Sequence, residues 1–170
     1  MDKIIRILII AFMFGSCSKK EEFNIDKHKI VFVYTKWINI DLQTGNLKID
    51  YLGLKYKSKI TFSNSEKLKI IESFNKYRIG EKMNEVWCMD ENSFMPPFND
   101  EILIYVSDKI QSKLIINSNY DIDDFQFHNQ EYRIVSFRND IKKVLEKNSD
   151  FKRALDILHK FQKEKKALFL

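Results

Sequence analysis

From His28 to Phe62 the chain is almost unbroken β-forming sequence, and this run most restricts the fold available to it. "HKIVFVYTKWINI" and "LKIDYLGLKYKSKITF" are rich in β-branched and aromatic residues, which suit a pleated surface packed on its neighbours. In the first run Ile30, Phe32, Tyr34, Ile38 and Ile40 alternate onto one face, with Lys36 the exception. Val31, Val33 and Trp37 take the other face, so the pattern predicts a strand covered on both sides. "DLQTGN" between the runs is turn sequence, with Gly45-Asn46 able to adopt positive φ. The alternation Leu47, Ile49, Tyr51 changes phase at Leu52-Gly53-Leu54, where Gly53 predicts a β-bulge. Together the two runs read as one long hairpin.

Helical spacing takes over next. Ser63-Asn64-Ser65-Glu66 has the form of a capping box, and Leu68, Ile71, Phe74 and Tyr77, widened by Ile70, predict a helix stopped by Gly80. "NEVWCMD" reads as a short strand, and "NSFMPPFND" as a loop, because Pro96-Pro97 cannot donate to a ladder. "EILIYVS" and "SKLIIN" around "DKIQ" predict a second hairpin. From Arg133 the positions Ile134, Phe137, Ile141, Val144 and Leu145 follow a helical period; "EYRIV" could alternatively be a last strand capped by Ser136. "NSD" at Asn148–Asp150 breaks the period, and Phe151, Leu155, Leu158 and Phe161 begin another helix. The expected class is α+β: an antiparallel sheet of about 4–6 strands in two hairpins, with one central and two C-terminal helices packed on it. A chain of 170 residues with only 4 Gly and 2 Pro supports one domain over residues 28–170 and leaves little sequence for linkers.

The net charge of +5 does not by itself indicate a nucleic-acid partner. Of 29 Lys and Arg only five are Arg, the side chain whose planar fork suits phosphates and base edges. Acidic residues are interspersed among the basic ones, so the expectation is a solvated mixed surface and no nucleic-acid partner.

The N-terminus carries an address. Lys3 and Arg6 begin it, Ile7 to Phe14 form an apolar run, and Gly15-Ser16-Cys17 follow. The run is far shorter than the roughly 20 residues a spanning helix needs, so it reads as a signal-peptide core. Residues 14–17, "FGSC", resemble the lipobox of bacterial lipoprotein signal peptides, with Phe14 in place of the usual aliphatic residue. The resemblance covers about the first 22 residues. It implies cleavage after Ser16, lipidation (palmitate included) of the Cys17 thiol, a polar tether over 17–27 and attachment to the outer membrane. "SKKEE" behind Cys17 resembles a signal for display on the outer surface, with periplasmic retention as the alternative. Cys88 is then the sole thiol not committed to lipid, and a lone cysteine between Trp87 and Met89 reads as core filler.

Little else points to chemistry. His28, His128 and His159 are scattered, no paired metal-ligand motif occurs, and no metal or other cofactor is expected. Asn117, Asn119, Asp121 and Asp123 alternate as calcium-loop oxygens do. However, Ile122 replaces the required Gly and His128 the required Glu. Nucleophile elbow, P-loop and dinucleotide fingerprint are all missing. The reading leans away from catalysis and toward a binding or interaction module with an unknown protein or glycan partner. An inhibitor or immunity-type protein against a toxin or hydrolase, and a surface hydrolase or small-ligand carrier, are the alternatives. Trp87, Phe94 and Phe98, the last two flanking the Pro-Pro loop, form the expected interaction surface, with Trp37 and Tyr120 more distant candidates. The tail "HKFQKEKKALFL" reads as a basic helix end with an apolar patch, docked rather than lipid-bound.

Overall fold

Alternating sequence becomes a meander before it becomes a sheet. The computed structural model describes residues 27–89, 98–117, 120 and 129–167. Strands β1 (His28–Tyr34), β2 (Ile38–Asp41), β3 (Asn46–Tyr51) and β4 (Leu54–Lys59) come first, followed by helix α1 (Asn64–Lys76). Then come β5 (Asn84–Cys88), β6 (Asn99–Val106), β7 (Lys109–Asn117), α2 (Gln130–Leu145) and α3 (Ser149–Ala167). All seven strands join one sheet in the order β4-β3-β2-β1-β6-β7-β5.

The class is α+β as expected, with more strands than the four to six anticipated. Each long run is split by a tight turn with two residues in left-handed backbone: Thr35 (φ 47) and Lys36 (φ 71) within the three-residue loop 35–37, and Leu52 (φ 42) with Gly53 (φ 94) in a two-residue loop. Such turns match the right-handed twist of the strands they join. Gly53 therefore makes a hairpin turn rather than a bulge, and Lys36 broke the alternation because it sits in a turn. The second hairpin is tighter than "DKIQ" suggested: Ser107 (φ 49) and Asp108 (φ 62) make the turn. Strand β5 pairs parallel to β7, so the sheet is mixed and not purely antiparallel. That pairing joins segments far apart in the chain and leaves no trace in local pattern.

One face of the sheet carries the core. The row Leu47–Ile40–Phe32–Ile102–Leu114–Val86 crosses six strands by direct pairing. All but Val86 are buried, and Phe74, Phe137 and Phe151 from the three helices close over this side. Each such fully buried ring or aliphatic chain contributes about 1.5–3 kcal/mol. The helices collect on this one side because α1 and α2 pack together while α3 lies against β3 and β4. These three helices do not pack on the opposite face, yet Val33 and Ile115 on that face are also buried, in keeping with the expectation of a first strand covered on both sides.

Local capping sets the helix ends. Ser63 and Glu66 complete the predicted capping box, Ser63 N donating to Glu66 Oε2 at 2.7 Å. The buried stripe of α1 is Ile70, Ser73 and Phe74, with Leu68 left 55% exposed, so the face is rotated from the one predicted. Residues Glu131–Val135 are helical, with Asn129 and not Ser136 as the cap of α2. Asn148 caps α3: its Oδ1 accepts from the amides of Asp150 and Phe151, while its Nδ2 donates to Thr61 O at 3.1 Å.

Candidate functional site

The aromatic candidates divide at the end of the sheet where β5 and β7 finish and β6 begins. Trp87 lies on the face of edge strand β5 opposite the three described helices and is 49% exposed. Its register row runs through Ile115 to Glu101 and Val33. The indole N–H donates to Glu85 Oε1 at 2.8 Å, which holds the ring orientation on a strand that has a neighbour on one side only. Phe98, immediately before β6, is 47% exposed at this same end, two strands away across β7. Asn99 and Asn117 pair across β6 and β7 in the next row on this face, where Asn117 is buried. Phe94 and Cys17 lie outside the described residues, as do His128 and residues 121–128 of the acidic stretch. Trp37 is half-buried, edge-to-face with Tyr51 at 4.9 Å, and Tyr120 donates its hydroxyl to Glu131 at 2.8 Å. Those two serve packing.

Beneath that end lies a charge cluster that the sequence did not reveal. Asp100 is fully buried at the start of β6. Its Oδ2 lies 3.5 Å from Arg138 Nη1 and 3.4 Å from Lys142 Nζ, both on α2. Arg138 also donates to the carbonyls of Asn117 and Tyr120, where β7 ends. Lys142 sits 5.2 Å over the Tyr34 ring, and burial, then the charges of Asp100 and Glu146, push the Tyr34 hydroxyl above its ordinary range. The cluster ties α2 to β1, β6 and β7. With Arg138 only 3% exposed, the group acts as a clamp under the surface rather than a site open to ligand. A spacing of four between Arg138 and Lys142 placed both on one helix face, but their shared partner, 38 residues earlier for Arg138, was invisible locally.

A groove of about 440 Å³ opens between α1 and α2. In it Ser73 Oγ donates to Asp140 Oδ2 at 2.9 Å. The lining is mainly Lys and Glu with no histidine. Lys76 is held above its ordinary value first by its hydrogen bond with Tyr77, so it is a poor proton acceptor for the serine. Cys88 is buried, and desolvation followed by the Glu131 charge pushes its thiol up to about 12. At that value it is neither nucleophile nor ready ligand. Among the described residues no group of three His, Cys, Asp or Glu side chains could hold a metal ion, and no helix is long and apolar enough to cross a membrane.

No family model, no curated protein and no solved structure matches this chain.

Proposed function

We propose that the protein is a lipid-anchored cell-envelope module that binds a partner without catalysing a reaction. It would be held to the outer membrane through Cys17 and engage a protein or glycan by the exposed ring of Trp87, with Phe98 at the same end of the sheet. The observation that carries the binding half is the half-exposed Trp87, held by Glu85 on strand β5, with Phe98 also half-exposed. A large ring on a rigid strand loses little entropy on contact, and aromatic anchors of this kind dominate binding energy at recognition surfaces. The anchoring half rests on the lipobox-like "FGSC" of residues 14–17.

Two experiments test the halves separately. Cells labelled with radioactive palmitate should yield a labelled wild-type chain and an unlabelled Cys17→Ala chain. Absence of label from both would refute anchoring. In envelope cross-linking, Trp87→Ala should lose a partner band that the wild type and a Leu68→Ala control retain. Unchanged cross-linking by a folded Trp87→Ala chain would move the binding surface elsewhere.

A further inference from the structure

The net positive charge that looked evenly interspersed along the sequence resides mainly in two segments that adjoin in the fold. The β3–β4 hairpin (46–59) and α3 (149–167) hold ten basic and four acidic residues, a formal +6, against +5 for the whole chain. The two segments are joined in space: α3 packs against β3 and β4, and Tyr51 meets Phe161 edge-to-face at 6.3 Å. Just beyond Tyr51, at the tip of the hairpin, Leu52 is 65% exposed, the most exposed large apolar side chain among the described residues. At the same end of the sheet are Lys36, in the β1–β2 turn, and Lys55, at the start of β4 and opposite Asp50 in register. The Phe161 contact brings the second half of α3, with exposed Lys160 and Lys163, to this same end.

The geometry points to this pole as a surface that docks on anionic lipid headgroups, Leu52 entering the interface and the surrounding lysines meeting the headgroup charge. Three features favour lipid over other anions. Nine of the ten basic residues are Lys, compact point charges that suit a diffuse field of headgroups, whereas nucleic-acid contacts favour Arg. Lys is depleted at protein–protein interfaces, which argues against an acidic protein. Edge protection would explain Lys55, Lys57 and Lys59 on edge strand β4, but it explains neither Lys160 and Lys163 nor an exposed leucine at the tip. An apolar tip ringed by Lys is the pattern of side chains that sit at a membrane surface. This inference is independent of lipid on Cys17.

The test uses the full chain carrying Cys17→Ala, so that no acyl chain contributes, with vesicles of phosphatidylcholine alone or mixed with phosphatidylglycerol. Binding to the anionic vesicles should exceed binding to the neutral ones and weaken as ionic strength passes about 0.1 M, where screening acts within ~10 Å. Lys55→Gln/Lys160→Gln/Lys163→Gln should lower anionic-vesicle affinity by about a hundredfold, each lysine accounting for about fivefold. The charge-matched control Lys67→Gln/Lys69→Gln/Lys147→Gln, on α1 and beyond α2, should change it far less. Leu52→Asn, which alters no charge, should also weaken binding. The inference is overturned if both triple variants fall equally, since net charge alone would then be responsible. Indifference to phosphatidylglycerol would overturn it too, and so would protection of the pole lysines by a protein partner alone.

Discussion

The Thr35 backbone amide donates to Asp100 Oδ1 at 2.9 Å, so a buried carboxylate on β6 closes the turn between β1 and β2. The other oxygen of Asp100 faces Arg138 and Lys142, which makes this one residue the counterion for two cations of α2. Removing its charge would strand the Arg138 guanidinium, itself almost fully buried. Asp100→Asn is therefore expected to cost about 3–5 kcal/mol. Chemical denaturation should show the loss as a lowered midpoint. A change below about 1 kcal/mol would mean that the long 3.4–3.5 Å contacts contribute little.

Two glycines in similar backbone should respond oppositely. Gly45 (φ +75) has the Ile60 carbonyl oxygen 2.0 Å from where a Cβ would stand, and its own carbonyl accepts from Ile60 N at 2.7 Å. Gly45→Ala should lose more than about 2 kcal/mol, because backbone and not a flexible side chain must move. A Cβ on Gly53 (φ +94) meets nothing within 4 Å, so Gly53→Ala should cost only the left-handed penalty, about 1 kcal/mol. Thermal unfolding of the two variants side by side would show the contrast.

Leu52 occupies a position where a leucine is locally unfavourable. At φ 42 in a two-residue hairpin turn, Asn is the better residue, and Leu52→Asn should stabilise the fold by about 0.5–1 kcal/mol. Urea titration provides the measurement. A variant that gains stability while losing vesicle binding would separate folding from docking at a single side chain.

Glu66 should give α1 an acid-sensitive cap. Burial pushes its carboxyl up, but the Ser63 amide and hydroxyl and the Asn148 side chain outweigh it and leave it below the ordinary 4.5. A depressed folded-state value stabilises above the unfolded value, and that contribution disappears as pH falls through the folded one. The carboxylate is largely solvated, so the effect is small, about 0.5 kcal/mol after screening. Stability of the wild type relative to Glu66→Gln should shrink as pH drops below 4.5 and be constant above about 6.

Cys88 should resist alkylation in the native protein. With its thiol pushed up to about 12 and its side chain sealed under α2, iodoacetamide near pH 8 should label it only in denaturant. Peptide mass spectrometry distinguishes it from Cys17. Rapid native labelling would show that β5 opens readily.

The Ser63 capping box and the helical periods were legible because they are local: Ser63 reaches Glu66 three residues on. Asn148 was legible only as a break in the period, since its cap is completed by the distant Thr61 carbonyl. The hairpin turns were legible in part. Gly45 was recognisable as turn sequence, but Thr35-Lys36 uses neither Gly nor Asn, so β1 and β2 looked like one strand. Phe98 was anticipated as exposed because it flanks the Pro-Pro loop, whereas Trp87, between Val86 and Cys88, was named for the interaction surface without any local sign of exposure.

Sequence by itself determined the class: apolar alternation must bury a face, apolar residues at helical spacing must cover it, and each pattern needs only neighbours within a few residues. Tertiary structure alone decided which strand became the parallel edge and that Asp100 would serve Arg138 and Lys142. Those outcomes depend on which distant segments meet once the sheet and helices pack, and contacts of that kind leave no periodic mark along the chain.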